Sequence, residues 1–297
     1  MKKKLTYEIS EIVPYINWLY FYHAWGLSGK SQEDKSALQK EALTMLEKWE
    51  GTFHTYAIFR ILQANSDEDD ILVYFDDGFV CSDDNLIGSD DSEMSADKNV
   101  VRLPMLRQQK DASGGQCNLC LSDFIRPLSS GKKDRIGLFC ATVDGEIIEQ
   151  YKDDEFQSML AQTLCDRLAE ATAERMHEQV RREYWGYVPN ERLTIEQLHH
   201  EQYQGIRPAV GYPSMPDAGI NFILDELLDM RQVNVRLTEA GMMTPHASVS
   251  GLMFAHPMAR YFEVGKIGED QLKDYARRRG VPVEMARRFL QSSLIKR

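Results

Sequence analysis

Gly205-Ile206-Arg207-Pro208-Ala209-Val210-Gly211-Tyr212-Pro213 sets one arginine ahead of two prolines and a glycine, with a tyrosine at the tip. Each proline fixes φ, and the glycine lets the backbone approach a neighbour or a ligand closely. Such a loop can hold a guanidinium fork and bare backbone carbonyls in a rigid frame. A guanidinium fork suits a carboxylate bidentately. The same residues also fit a structural connection that carries a surface arginine, and at this level both readings stand.

Outward from the loop, the pattern mixes strands and helices. Residues 153–184 keep Met159, Leu160, Leu164, Leu168, Ala171, Met176 and Val180 at helical spacing. Thr194 opens a helix with Gln197 three residues on, the capping-box arrangement. Residues 218–230 predict a further helix, and two more close the chain, split near Gly280-Val281-Pro282. Upstream, Leu38, Ala42, Leu43, Leu46 and Trp49 form a helical stripe across residues 31–49, after an aromatic cluster at residues 15–25. Residues 55–62, 71–75 and 136–143 read as strands, with a polar turn at 65–70. Short strands are predicted at 250–255 and 261–264. Without regular βα alternation, the class is α+β.

Composition narrows the function. Lys and Arg number 35 against 46 Asp and Glu, a formal charge of −11, so the chain does not hold nucleic acid by bulk electrostatics. No apolar run approaches the roughly 18 residues of a membrane span, so no membrane role is expected. The basic start lacks a following apolar segment and does not predict a secretory signal. Five cysteines (81, 117, 120, 140 and 165) are an odd number and favour a reducing cytoplasm over a disulfide framework. The 297 residues suit one large domain or two small ones.

Common catalytic signatures are missing: there is no phosphate-binding GxxxxGK[ST], GxGxxG, HExxH or GxSxG. A corrinoid-binding DxHxxG also fails, because Phe21 stands where aspartate is needed ahead of His23 and Gly26. Cys117-x-x-Cys120 has no second ligand pair for zinc. His199 and His200 on a helix point about 100° apart, cannot share one ion, and are expected on the surface. The acidic stretch 76–98 does not match calcium-loop spacing and reads as a solvated loop. No metal site is expected.

The central loop, taken with Tyr184-Trp-Gly-Tyr-Val-Pro-Asn190, Ala247-Ser-Val-Ser-Gly-Leu-Met-Phe-Ala-His-Pro257 and Tyr261-Phe-Glu-Val264, closely resembles the activation domain of cobalamin-dependent methionine synthase. Cys120-Leu-Ser-Asp-Phe124, Asp166-Arg-Leu-Ala-Glu170, Leu237-Thr-Glu239 and Asp274-Tyr-Ala-Arg277 continue the match, which is strongest over residues 117–290. The resemblance implies a C-shaped α+β single domain across residues 1–297, with a twisted antiparallel sheet and flanking helices. It implies S-adenosylmethionine as ligand, and cobalamin only through a partner. The implied role is reductive methylation of cob(II)alamin to methylcobalamin on a separate corrinoid protein, as a component of a split methionine synthase rather than a complete enzyme. The electron would come from a flavodoxin-type donor. The alternative is a non-catalytic S-adenosylmethionine-binding docking or regulatory subunit of a corrinoid methyltransferase. Reduced cobalt is itself the nucleophile, so the protein would align the methyl donor and exclude water, with no side-chain base.

Carried over residue by residue, the resemblance gives Arg207 the methionyl carboxylate and Ala209 a place in the loop whose backbone faces the ligand. Tyr261 and Phe262 line the ligand. Tyr212 and Glu201 stand at the reacting centre, beside the methyl and the sulfonium respectively. Asp166 and Glu170 are implied contacts to a neighbouring module, and a solvated helix face reads as well for both. His246 stands where the family prefers a small residue, facing the corrinoid or sitting in a surface turn.

Asn17 departs from the family, which has an aspartate bound to the ligand's ammonium there. A charge-assisted hydrogen bond contributes about 1.5–3 kcal/mol and a neutral one about 0.5–1.5. The difference is roughly tenfold in affinity. Asn17→Asp is accordingly expected to tighten S-adenosylmethionine binding about tenfold by titration calorimetry; unchanged or weaker binding would contradict this.

Overall fold

The computed structural model describes residues 1–75, 99–109 and 117–295. The acidic stretch 76–98 lies outside the described residues. The chain runs β1 (Lys2–Glu8), α1 (Ile9–Ile12), α2 (Trp18–Ala24), α3 (Gln32–Trp49), β2 (His54–Asp67), β3 (Asp70–Tyr74) and β4 (Val100–Pro104). It continues β5 (Asp134–Val143), α4 (Glu155–Gln179), α5 (Ile195–His199), α6 (Ile220–Leu228), β6 (Arg236–Leu237), β7 (Met243–Thr244), β8 (Ser248–Met253), α7 (Glu269–Arg279) and α8 (Val283–Phe289).

β2 is apolar on both faces, and that decides the layering. Phe59 and Ile61 enter one core, and Ile58, Leu62 and Ala64 the other. The sheet built on it runs β4-β3-β2-β5-β8, with β1 also paired to β2, and every pairing is antiparallel. Phe59 stands opposite Phe139, and Phe139 opposite Gly251. α3 and α4 cover one face, and α6 covers the other. α7 and α8 enclose a smaller third core around Leu272, Tyr275 and Leu290. This is the expected α+β arrangement of an antiparallel sheet with flanking helices.

Several boundaries differ from the sequence reading. β1 was not expected, because Lys2-Lys3-Lys4 reads as a charged start; lysines suit an exposed edge strand, and Tyr7 turns inward to the core. β4 and the small β6–β7 ladder were likewise not expected. β2 continues through the predicted polar turn to Asp67. The helix predicted over 153–184 is α4 followed by a π-helical turn at Val180–Tyr184, where the Trp185 N–H reaches the Val180 carbonyl at 2.9 Å. Residues 261–264 are not a strand. They pair with no strand among the described residues, Val264 N–H bonding Pro213 O at 3.0 Å. The Thr194–Gln197 capping box is present in full. Among the described residues no helix is long and apolar enough to cross a membrane.

The 205–213 loop lies along β8 as a partial extra strand. Ile206 and Phe254 exchange backbone hydrogen bonds at 3.0 and 2.9 Å, Val210 N–H bonds Ser250 O at 2.9 Å, and Leu252 N–H bonds Pro208 O at 3.0 Å. Gly251 makes this approach possible: a Cβ there would stand 2.2 Å from Pro208 O. Gly251→Ala should therefore push the loop off the sheet and destabilise the domain by about 1–3 kcal/mol in urea unfolding. An unchanged midpoint and slope would show that the loop is not held this way.

Candidate functional site

Three walls line a cleft of about 700 Å³. One wall is the α4 face carrying Arg167, Glu170 and Glu174; a second is the 207–214 loop; the third combines residues 15–20 with residues 261–263. Asn17, Glu201, Arg207, Ala209, Tyr212, Tyr261 and Phe262 all line it. Seven residues expected to act together are thus gathered around one space from four separate parts of the chain.

Arg207 forms the charged floor of the cleft. Its side chain is only 10% exposed, and its guanidinium sits over the Phe139 ring, 5.6 Å from the centroid. Its backbone N–H donates to the Tyr261 hydroxyl at 2.9 Å. Its Nη2 donates to Glu174 Oε2 at 3.2 Å, and its Nε is buried with no partner among the described residues. The charge is held on, its pKa raised by Glu174 against the opposing cost of burial.

Behind Glu174 lies a second buried cation. Arg181, fully buried, is 3.8 Å from Glu174 Oε1. Glu191 grips it through Nε and Nη2, the shortest contact being 2.7 Å. The Tyr203 ring lies 4.3 Å from its guanidinium carbon. Its Nη1 donates to His177 Nδ1 at 2.8 Å, so that nitrogen carries no proton and Nε2 does. Burial, then the charges of Arg181 and Arg207, hold the His177 pKa far below its usual value. Two arginines and two glutamates therefore balance inside the wall, with a neutral imidazole between turns of α4. The Tyr203 and Tyr261 hydroxyls, 3.2 Å apart, tie this wall to the 261–263 segment.

At the open end, Tyr212 is 49% exposed, and its hydroxyl donates to Glu170 Oε1 at 2.5 Å. Burial, then the charge of Glu170, raises its pKa. Glu201 takes a left-handed backbone conformation at φ 55°, and its carboxyl pKa is raised by burial and then by Glu174. Asn17 caps α2, its side-chain carbonyl accepting from Leu19 N–H at 3.1 Å. That oxygen has a second lone pair, so the cap leaves room for the expected acceptance from a ligand ammonium. Asp166 lies outside the cleft lining and faces His246 at 3.5 Å.

The structure corrects one further expectation. His199 is half-buried rather than exposed, lining the cleft with its Nε2 bonded to Tyr15 O at 3.1 Å, while His200 is exposed as expected. Cys120 is buried under a 3-10 turn with its pKa pushed up to about 11 by burial, while Cys117 is exposed. Among the described residues no three His, Cys, Asp or Glu side chains gather as a metal site. Glu174, His177, Arg181 and Glu191 were not singled out in the sequence. The available signal was charge at positions 174, 177 and 181, interrupting the apolar side of a long helix.

A cleft with a buried arginine at its floor and carboxylates on its walls has the charge layout of a small-molecule binding domain. Comparison with known proteins makes the assignment specific. The sequence model for the vitamin B12 dependent methionine synthase activation domain matches residues 8–280. A crystal structure of the MetH reactivation domain bound to AdoHcy superposes with a TM-score of 0.86 at 35% identity, covering 100% of this chain and 91% of its own. The chain belongs to the methionine synthase activation domain family.

The neutral buried imidazole has a consequence for stability. Because the folded pKa of His177 is depressed, the unfolded chain binds a proton below about pH 6.5 that the native state refuses. This part of the stability is complete above pH 6.5 and declines below it by up to about 1.4 kcal/mol per pH unit. His177→Gln, which keeps an acceptor for Arg181, should flatten the loss measured by urea unfolding between pH 6.5 and 5.5. Parallel pH profiles for the two proteins would contradict it.

Proposed function

We propose that the cleft binds S-adenosylmethionine and presents its methyl group to the cobalt of a corrinoid protein, supporting reductive methylation of cob(II)alamin to methylcobalamin. The observation that carries the reading is the Arg207 guanidinium, buried at the cleft floor with Glu174 as its one hydrogen-bonding side-chain partner among the described residues. A carboxylate is the group that such a fork takes best. The relative bound to AdoHcy supports a ligand of the same class.

In this reading Arg207 takes the methionyl carboxylate, the backbone around Ala209 faces the ligand, and Tyr261 and Phe262 line it. Glu201 faces the sulfonium, where a negative charge attracts it. Its raised pKa favours proximity to a cation, since a bound S⁺ would return the carboxyl toward its usual range. Tyr212 stands at the methyl, steadied by Glu170. Asp166 and Glu170 face the incoming corrinoid module, and a flavodoxin-type donor supplies the electron. Residues 1–297 act as one activation domain in the cytoplasm, where an odd set of five cysteines fits a reducing compartment.

The test mixes the protein with a cob(II)alamin-loaded corrinoid protein, a reductant and methyl-labelled S-adenosylmethionine. Label on cobalt is expected. Binding without transfer would replace this reading by a docking or regulatory subunit. Arg207→Ala should reduce ligand binding at least a hundredfold, on the order of 3 kcal/mol for a charge-assisted pair, and wild-type affinity in that variant would refute the reading.

A further inference from the structure

α4 grips the 205–213 loop at two points one helical turn apart. Glu170 holds the tip through the Tyr212 hydroxyl, and Glu174 holds the base through Arg207 Nη2. Only the first of these glutamates belongs to a motif that the sequence singles out. Glu174 is nine-tenths buried and lines the cleft. It is itself fixed, because its second oxygen faces Arg181, which Glu191 and His177 hold in place.

An arginine side chain has several freely rotating bonds, and ligand binding must otherwise freeze them. Here that freedom is already restricted: the Phe139 ring lies on one side of the guanidinium and Glu174 on another. We propose that Glu174 is a positioning residue that sets the cleft's selectivity for ligands with a free α-carboxylate, by aiming Arg207 before the ligand arrives. Arg181, which backs Glu174, stands in the π-helical turn after α4. The proposal rests on Arg207 as the carboxylate receptor, and it predicts something that reading alone does not. Removing Glu174 should weaken carboxylate recognition, although it also removes a competing negative charge.

The experiment compares the affinities of S-adenosylmethionine and decarboxylated S-adenosylmethionine by titration calorimetry; the two differ only in the carboxylate. The wild-type protein is expected to favour the former by about a hundredfold, and Arg207→Ala to bring the ratio close to one. Glu174→Ala should lower the ratio about tenfold, because the loss falls more heavily on the ligand that carries the carboxylate. Glu174→Gln, which keeps an acceptor for Nη2, should recover most of the ratio. A wild-type ratio near one would overturn both this proposal and the role of Arg207. A wild-type preference that Glu174→Ala preserves or increases would overturn this proposal alone. Loss of decarboxylated-ligand binding in both Glu174 variants would reduce Glu174 to a folding role and overturn it too.

Discussion

The ion pair between Arg207 and Glu174 joins the loop to α4, and most of the cleft's properties follow from its burial. Taking a guanidinium and a carboxylate out of water costs several kcal/mol each unless good geometry and further partners offset it. Here the further partners are Arg181 and Glu191, which close the set at zero net charge. Removing any one member would leave an uncompensated charge in a low dielectric. The wall therefore works as a unit, and the sheet beneath it must bring the loop within reach. That requirement falls on Gly251, the one place on β8 where Pro208 O can pass.

The charge of the cleft agrees with the ligand class. Its lining holds Glu170, Glu174, Glu201 and Glu263 against Arg167 and Arg207. An excess of carboxylates around a single buried fork suits a molecule whose carboxylate goes to the floor while its cationic centres face the walls. The net charge of −11 is thus expressed locally as well as over the whole chain. The same excess disfavours a simple dianion, which would meet repulsion from three sides.

Much of this was legible in the sequence where a residue type had a single physical use. The proline-framed loop marked Arg207 and Tyr212 as candidates beside a plain structural reading, and Tyr261 and Phe262 came from the family resemblance. The central strands followed from their apolar runs. What was not legible depended on tertiary partners. Glu174, His177 and Arg181 lie on a helix whose apolar stripe was read as core, and only the fold shows that their polar ends meet one another inside it. β1 was hidden by its lysines, whose charge says nothing about pairing with β2. Residues 261–264 have strand composition, but among the described residues no strand pairs with them to complete a ladder. Asn17 was read as a weakened ligand contact, and its helix-capping role needed the start of α2 to be seen.

The account stands or falls on where the ligand's carboxylate sits. A crystal structure of this chain with S-adenosylhomocysteine, the product analogue that lacks the transferred methyl, would place it directly. The account predicts the carboxylate on the Arg207 guanidinium, with Glu174 still bonded to Nη2 and the sulfur turned toward Tyr212 and Glu201. A ligand seated elsewhere, or one with its carboxylate in solvent and Arg207 still bound only to Glu174, would contradict it.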